Sequence, residues 1–491
     1  MALEIPVERL PIVLGPDPQR VLFRPFDPAD ELRCSRIFGR VAGMGDAEVR
    51  AELAATLEAF GQRHARFRQM LLYRYRQVRG CALTDEEPDE ARRLLIGAYF
   101  TQEYALESSA LFNPSMVWHP DQSGLARGER RFVLSLRALG EGHLSCIGFR
   151  SGVADGNGDL RLDPVTPTVS VPQAHPNPSY DKRLFRQKLA ELDLWGAFAS
   201  EVLAGLPERF TLQALQDQTE AVLRRSRGLV HEAEALAQGI LALAQANYQM
   251  RFPPELPLSA RIIYPATPAE RKGIEDARFV AFRDDDGSLT YYATYTAWDG
   301  SVFFPQLLET RDFLRFRSST LNGPEVRNKG FALFPRRIKG RYAMLGRQDG
   351  ENLYLMYSDN VHFWYRKTLL ARPTHPWEYV QIGNCGSPIE TSAGWLVLTH
   401  GVGAMRRYAI GAMLLDLDDP SRVIGRLPEP LIAPNENERE GYVPNVVYSC
   451  GGQVHAGWLI LPYAMADYAT TFARIDLEAL LQVLLRHPPK P

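Results

Sequence analysis

The chain has 491 residues, of which 45% are hydrophobic and 23% charged, and its 56 basic and 58 acidic residues give a net charge of −2. This composition excludes collagen-like, disordered and disulfide-scaffold classes. The balanced charge excludes a protein-wide field that would attract nucleic acid or an anionic membrane. Because the N-terminus has no basic, apolar signal and no long apolar run follows it, we expect a soluble, cytoplasmic protein.

Helix-forming residues with apolar positions three and four apart dominate residues 47–78 and continue through 86–110. A second helical block runs from about 181 to 250, and its Leu and Ala stripe indicates a buried face. A packing appendage is the favoured interpretation of this block, and a lid or an oligomer contact is the alternative.

The rest of the chain is typical of strands rich in Val, Ile, Tyr, Phe and Thr, separated by glycine-containing turns. Five such units start near 130, 279, 331, 395 and 446, and the last four are spaced by 52, 64 and 51 residues. Propeller blades repeat every ~40–50 residues. We therefore predict a mainly β fold, a five-bladed β-propeller with an N-terminal helical extension and a helical insertion, because two stacked sandwiches would not explain one repeat interrupted once.

This organisation divides the chain into five predicted segments. They are an N-terminal helical extension at 1–105, a first blade and following loop at 106–180, the helical insertion at 181–256, the remaining blades at 257–480 and a C-terminal tail at 481–491.

The cysteines and histidines predict neither a disulfide nor a metal site. The five cysteines are odd in number and form no CxxC pair, so we expect free thiols in a reducing compartment. Residues 155–163 have the acidic spacing of a calcium loop but lack its glycine and its final glutamate, which favours a plain turn. The histidines are scattered without a paired ligand set.

Adjacent carboxylates stand just before one predicted strand. Glu275 and Asp276 precede it, and Arg278 follows two residues later. In a strand, Asp276 and Arg278 share a face, which would orient the carboxylate beside a cation. Such a carboxylate can donate a proton to a leaving oxygen. A salt bridge at the start of a strand is the plainer interpretation, and both stay open here.

Cations are concentrated in the next predicted blade. Arg327, Lys329 and Arg347 fall in what look like two consecutive strands, where arginines facing a funnel would bind phosphate or carboxylate. His400, at the end of an apolar strand, could also contact an anion. The alternatives are a solvated basic face and a structural histidine.

In their order and spacing these segments resemble glycoside hydrolase family 130, the β-mannoside phosphorylases and related β-mannosidases. The resemblance covers 106–152 and 257–475. It implies a five-bladed propeller and an inverting attack on a terminal β-mannoside. In the phosphorylases, inorganic phosphate is the nucleophile and co-substrate, α-mannose 1-phosphate is the product, and no other cofactor and no metal is implied.

The resemblance also implies roles for individual residues. GIEDAR is similar to the family's Glu-Asp-Pro-Arg stretch, so Asp276 takes the role of the acid, acting through a sugar hydroxyl, with Ala277 in place of proline. The implied phosphate contacts are Arg327, Arg347, His400 and Tyr408, with Gln381 where the phosphorylases have a lysine. The implied substrate-binding residues are Asn113, Arg137, Arg278, Asn328, Lys329 and Asp467.

Three functions stay open at this point. A β-mannoside phosphorylase is favoured, because clustered cations repel one another unless an anion binds. Loss of the lysine at Gln381 would weaken phosphate binding by ~1–3 kcal/mol, which leaves room for an inverting β-mannosidase. That enzyme needs a base ~6.5–9.5 Å from the acid, for which Glu390 and Glu440 are candidates. The third is a non-catalytic glycan-binding propeller.

The expected partners follow from the same reasoning. They are a β-mannoside oligosaccharide and phosphate, with no nucleic acid and no membrane. The helical segments would form either the acceptor side of the site or a contact between copies of the chain.

Overall fold

The computed structural model describes residues 5–28, 30–82, 85–225, 230–300 and 302–489. The ends of the predicted first and last segments, 1–4 and 490–491, lie outside the described residues. Within the described part, no helix is both long and apolar enough to cross a membrane.

The described helices fall into two groups and a C-terminal helix. They are α1 (Glu31–Ala42), α2 (Asp46–Phe60), α3 (Phe67–Val78), α4 (Glu90–Tyr99), α5 (Lys182–Glu191), α6 (Ala197–Ala204), α7 (Leu212–Arg225), α8 (Val230–Gln245) and α9 (Leu477–Arg486). Several begin after an aspartate whose carboxylate accepts a backbone N–H of the first turn, which stabilises the helix end. These caps are Asp30, Asp89, Asp181 and Asp476.

Most of the remaining chain forms strands. The first half contains β1 (Val7–Leu14), β2 (Val21–Pro25), β3 (Thr101–Ala105), β4 (Ala110–Trp118), β5 (Arg130–Leu139), β6 (Ser145–Ala154), β7 (Leu160–Leu162), β8 (Gln173–Pro176), β9 (Tyr180–Asp181), β10 (Arg209–Phe210), β11 (Tyr248–Arg251) and β12 (Ile262–Ile263). The second half contains β13 (Ile274–Arg283), β14 (Leu289–Trp298), β15 (Phe303–Thr310), β16 (Arg315–Thr320), β17 (Ala332–Leu333), β18 (Tyr342–Gly346), β19 (Leu353–Ser358), β20 (Lys367–Ala371), β21 (Gln381–Asn384), β22 (Ile389–Thr391), β23 (Gly394–Val402), β24 (Tyr408–Leu415), β25 (Val423–Arg426), β26 (Val447–Tyr448), β27 (Gln453–His455), β28 (Trp458–Met465) and β29 (Ala469–Asp476).

Among the described residues, these strands form five sheets of four to six strands and two strand pairs. The sheets run β4-β5-β6-β12, β13-β14-β15-β16-β11-β8, β17-β18-β19-β20, β21-β23-β24-β25 and β26-β28-β29-β1, and their ladders are antiparallel. Each sheet contacts the next in this order, and β28 of the fifth sheet contacts β4 of the first. The prediction of a mainly β chain is confirmed.

The N-terminal segment is not purely helical, which corrects the expectation for that region. Residues Val7–Leu14 form β1, which pairs with β29 and completes the fifth sheet, so that the start and the end of the chain share one ladder. β2 and β3 form a further pair in the same segment. Helix periodicity could not reveal β1, because its partner lies more than 450 residues away in the sequence.

A repeated turn fixes the start of three of the sheets. In each turn a buried glutamate closes a capping box just before the first strand of a sheet and accepts a hydrogen bond from an outer strand of the same sheet. The pairs are Tyr248 on β11 with Glu270 at 3.0 Å, Arg426 on β25 with Glu378 at 2.6 Å and Arg9 on β1 with Glu438 at 2.7 Å. A buried carboxylate needs such partners, because an uncompensated buried charge is strongly unfavourable.

The cysteine prediction is wrong for one pair. Cys34 on α1 and Cys81, just after α3, form a disulfide, while Cys146, Cys385 and Cys450 are buried free thiols. The packing of α1 against the turn after α3 brings together two cysteines that are 47 residues apart. A cytoplasmic location stays a prediction.

Candidate active site

Two neighbouring strands carry matching irregularities. β4 shifts register after Phe112, and β13 shifts register after Glu275. Within these bulges Asn113 and Asp276 have left-handed backbones, with φ of 49° and 55°. Asn113 Nδ2 donates a hydrogen bond to Asp276 Oδ1 at 2.6 Å. Because a bulge redirects side chains, the two bulges aim the predicted acid and a predicted sugar-binding residue at each other.

The bulge in β13 corrects the reason given for the pairing of Asp276 with Arg278. Simple alternation along a strand does not hold there, because the register shift lies between Glu275 and Arg278. Arg278 nevertheless stays close: its Nη1 donates to the Asp276 carbonyl at 3.0 Å, and its Nη2 lies 3.9 Å from Asp276 Oδ2.

The electrostatic environment keeps Asp276 ionised. Burial alone would raise the pKa of Asp276, but three positive charges and the Asn113 hydrogen bond lower it to about 2. The charges belong to Arg137, Arg278 and Lys329. Arg137 Nη1 lies 3.6 Å from Asp276 Oδ1. At neutral pH, Asp276 is therefore a carboxylate in the unliganded chain.

Glu275 forms hydrogen bonds with two of these cations. It accepts a hydrogen bond from Arg137 Nη2 at 3.0 Å and another from Lys329 Nζ at 3.2 Å. The guanidinium of Arg137 also lies over the Phe112 ring, 5.0 Å from its centroid. Glu275 thus links the loop that carries Lys329 to the strand that carries Asp276.

Tyr448, which the sequence analysis did not single out, lies between the acid and the predicted anion contacts. Arg278 Nη2 donates a hydrogen bond to its hydroxyl at 2.5 Å, and its ring meets the edge of His400 with centroids 4.9 Å apart. Burial raises the pKa of Tyr448, so the phenol stays protonated. A buried tyrosine in the short strand β26 gave no signal that separated it from an ordinary core residue.

Three of the predicted phosphate contacts meet around His400. His400 is fully buried in β23, and Gln381, the first residue of β21, brings its Nε2 to 3.1 Å from His400 Nε2. The Tyr408 ring stacks on the imidazole with centroids 6.0 Å apart. Burial, and then the charges of Arg347 and Arg278, lower the pKa of His400. The imidazole is therefore neutral at pH 7 and offers a hydrogen-bonding group rather than a charge.

Arg347 is the charged member of this group. It follows β18 and is 9% exposed. Among the described residues it forms no ion pair, and its buried Nε has no hydrogen-bond partner. A buried cation without a counter-charge is unfavourable. An anion from solution would supply the missing partner.

Two glycines make room for these side chains. A Cβ atom at Gly383 would lie 2.4 Å from His400 Cε1 and 3.1 Å from Arg347 Cδ. A Cβ atom at Gly330, where φ is +90°, would lie 2.7 Å from Arg347 Nε. The sequence analysis did not identify either glycine, although each stands within two residues of a predicted site residue.

The predicted site residues at 327–329 do not lie in a strand, contrary to the expectation from the sequence. Arg327, Asn328 and Lys329 precede β17 in a loop, because β17 is only the two residues Ala332–Leu333. Asn328 Nδ2 donates to the Arg347 carbonyl at 3.3 Å, so this part of the loop reaches the site. Arg327 is exposed and lines a small cavity beside α5 that contains no other predicted site residue.

A cleft of about 530 Å³ opens beside the charged cluster. Arg137, Glu275 and the half-buried Asp467 line it, together with Trp298 and Tyr442. Burial and the negative charge of Asp276 raise the pKa of Asp467 to about 6. Carboxylates, a guanidinium and an aromatic ring are groups that bind sugar hydroxyls and ring faces.

The described residues thus combine a carboxylate, a polar cleft and a buried cation within one connected network. The same part of the chain contains no cluster of acidic, histidine and cysteine side chains that could hold a metal ion. The arrangement can hold a sugar next to Asp276 and an anion next to Arg347.

The comparisons with known proteins agree with this chemistry. Residues 231–486, just over half of the chain, match the sequence model of glycoside hydrolase family 130, described as β-1,4-mannooligosaccharide phosphorylase. A 1,2-β-oligomannan phosphorylase from Thermoanaerobacter is 35% identical over 43% of this chain and 71% of its own length. A β-1,4-mannooligosaccharide phosphorylase from Ruminococcus albus is 31% identical over 42% of this chain and 64% of its own length.

A solved structure is also similar. The β-1,2-mannobiose phosphorylase of Listeria innocua superimposes with a TM-score of 0.46 and 20% identity, covering 78% of this chain and 93% of its own. The family match and the Thermoanaerobacter relative together establish the relationship: the chain belongs to glycoside hydrolase family 130.

Proposed function

We propose that this protein is an inverting β-mannoside phosphorylase, which cleaves a terminal β-mannoside with inorganic phosphate and releases α-mannose 1-phosphate. The observation that carries the proposal is Arg347, a buried cation that has no counter-charge among the described residues and lies next to neutral His400. Phosphate is the anion that the reaction of the named relatives uses, and arginine suits it because its planar fork binds phosphate oxygens in pairs.

In this proposal each group has one task. The mannose lies in the cleft between Asp467 and Asn113, with a ring hydroxyl against the carboxylate of Asp276. Phosphate lies against Arg347, His400 and Tyr408 and attacks the anomeric carbon from the side opposite the leaving oxygen. The bond from phosphate oxygen to carbon forms as the glycosidic bond breaks, which inverts the configuration.

The protons of the reaction balance without a net gain or loss. Overall, HPO₄²⁻ supplies the proton that the leaving oxygen gains, and the product is the mannose 1-phosphate dianion. Asp276, which is ionised in the unliganded chain, takes up a proton when the substrates bind. It gives this proton to the ring hydroxyl as that hydroxyl gives its own to the leaving oxygen, and HPO₄²⁻ loses one proton to solvent in exchange. No cofactor besides phosphate enters this scheme.

The arrangement of the five sheets supports a proposal about the fold as a whole. We propose that they are the blades of a five-bladed propeller, with β4, β13, β17, β21 and β26 nearest its axis and β1 completing the last blade. The contacts of each sheet with the next, and of the fifth with the first, support this arrangement. So does the clustering of side chains on β4, β13, β23 and β26, which belong to four different sheets.

Hydrolysis has less support. One candidate base, Glu390, is ion-paired with Arg336 at 2.8 Å and lines a cavity that contains none of the Asp276 cluster. The other, Glu440, is exposed. Neither observation provides a carboxylate positioned to activate water opposite Asp276.

A synthesis-direction assay tests the proposal. The protein is mixed with α-mannose 1-phosphate and one acceptor at a time, including glucose, mannose and N-acetylglucosamine, while released phosphate is measured. Acceptor-dependent phosphate release would support a phosphorylase and name the disaccharide. Phosphate-independent release of mannose from β-mannosides, with no reaction in the synthesis direction, would replace the proposal with hydrolysis.

A further inference from the structure

The helical segment α5–α8 contacts the site region through the C-terminal end of α5. Lys188 and Glu191 lie three residues apart on this helix and form an ion pair, with Lys188 Nζ 3.2 Å from Glu191 Oε2. The side chain of Lys188 is 4% exposed and that of Glu191 is 15% exposed. A pair this deeply buried needs further partners to offset its desolvation, so its remaining contacts are informative.

The remaining contact of Glu191 is the backbone of the loop that follows β16. Both carboxylate oxygens accept the N–H of Gly323, at 2.9 and 3.0 Å. Gly323 has φ of +114°, and a Cβ atom there would lie 1.9 Å from the carbonyl oxygen of Trp364. Only glycine fits between α5 and Trp364, and its N–H points at the helix.

The same loop carries Arg327, to which the resemblance gives a phosphate contact, and Asn328 and Lys329, to which it gives sugar contacts. Arg327 lies four residues beyond Gly323 and lines a cavity of about 100 Å³ together with Lys188 and Glu191. Lys329 reaches Glu275, and Asn328 reaches the Arg347 carbonyl. The loop is therefore held by α5 at one end and by the site at the other.

We infer that Glu191 and Lys188 are positioning residues: they fix the loop at Gly323 and so hold Asn328 against Arg347, the proposed phosphate ligand, which gives the helical segment a role in the reaction. This inference rests on the proposed function. Glu191 acts through the hydrogen bond to Gly323, and Lys188 acts by orienting the Glu191 carboxylate.

The rival explanation is that the loop is already fixed without α5. Asn322 exchanges backbone hydrogen bonds with the segment that contains His362 and Trp364, at 2.8 and 2.7 Å. If these bonds suffice, the contact with Glu191 only packs the helix, and its loss would not reach the loop.

Two double variants separate these explanations. Lys188→Met with Glu191→Gln removes both charges but keeps a side-chain oxygen for the Gly323 N–H. Lys188→Met with Glu191→Met has nearly the same volume and removes that oxygen. Glu220→Gln on α7, which breaks an exposed ion pair with Arg224, is the control. Thermal unfolding first verifies that each variant is folded.

We expect the Met–Met variant to raise the apparent KM for phosphate at least fivefold above that of the Met–Gln variant, while the KM for the mannoside changes less than twofold. Hydrogen exchange of residues 321–331 should be at least tenfold faster in the Met–Met variant and unchanged in the control. Equal exchange in the two double variants would overturn the inference.

The exchange measurement also distinguishes failure of the inference from failure of the proposed function. If wild-type turnover does not depend on phosphate, the proposed function fails, yet faster exchange in the Met–Met variant would still establish that α5 holds the loop. If turnover depends on phosphate and exchange and KM are the same in both double variants, only the inference fails.

Discussion

The two halves of the site differ in how their charges are balanced. Around Asp276, the charges of the cluster have protein partners: Asn113 and Arg278 contact Asp276, and Glu275 accepts hydrogen bonds from Arg137 and Lys329. Around Arg347, no carboxylate of the described residues pairs with the guanidinium, and its Nε is unsatisfied. The first half is complete without ligand, whereas the second half requires a charge from solution. The predictions below test that difference.

The largest effect is expected at the complete half. Asp276→Asn keeps the shape and the contact with Asn113 but removes the group that we propose transfers the proton. General acid catalysis contributes about 10²–10⁴-fold, so kcat should fall by that factor while the apparent KM for phosphate changes less than about threefold. Asp284→Asn, in the turn after β13, is the matched control. A kcat within tenfold of wild type would remove Asp276 from the acid role.

The next largest effect is expected around Arg347, where the charge is not balanced by the protein. Arg347→Met removes a charged hydrogen-bonding group worth about 1.5–3 kcal/mol, so we expect the apparent KM for phosphate to rise about 10–100-fold at constant KM for the mannoside. Arg327→Ala, at an exposed position, should raise the KM for phosphate only about twofold to fivefold. Initial rates at varied phosphate measure both, and a larger effect at Arg327 would contradict the buried-cation argument.

A second positive charge beside His400 should make the Arg347 half of the site depend even more on a bound anion. Gln381 lies beside His400, where the resemblance implies a lysine in phosphorylases. Gln381→Lys should lower the apparent KM for phosphate about fivefold to tenfold, because a charged contact contributes roughly 1–3 kcal/mol. With phosphate absent, the added cation should lower the free energy of unfolding, since Arg347 is already uncompensated. Unchanged phosphate dependence would place the anion elsewhere.

The smallest effect concerns pH at the cleft. The pKa of Asp467 is about 6, so its carboxylate is ionised above that pH and accepts stronger hydrogen bonds from sugar hydroxyls. We expect the apparent KM for the mannoside to rise about twofold to fivefold from pH 7 to pH 5, and Asp467→Asn to abolish this change. A pH profile of KM in both proteins provides the test.

The free energy of unfolding should depend on pH in the opposite direction: ionisation of Asp467 favours sugar binding but destabilises the fold. Its folded pKa lies above the unfolded value of about 3.9, so the folded state binds more protons between these values and loses stability as pH rises from about 4 to about 6. Asp467→Asn should therefore raise the free energy of unfolding by about 1–3 kcal/mol at pH 7 and by less at pH 4. Denaturant unfolding at the two pH values measures this difference.

Much of the site could be predicted because its residues stand in distinctive local contexts. Asp276 follows a second carboxylate at the start of β13, and His400 lies near the end of the apolar strand β23, so their residue types mark them despite the surrounding core. The helical blocks and the strand repeats were equally visible, because periodicity is a local property. The positions of Arg327–Lys329 were misjudged for a related reason: a strand pattern and an extended loop look alike over a few residues.

The sequence by itself determined the alternation of helical and β segments, the residue types of the acid and of the cations, and the family to which they are similar. Only the tertiary structure decided that β1 completes the last sheet, that Cys34 and Cys81 are bonded, and that Arg347 finds no counter-charge in the part of the chain that the structure describes. Each of these depends on groups that are distant in sequence. Pairing, burial and charge compensation are properties of neighbours in space, which the order of residues does not state.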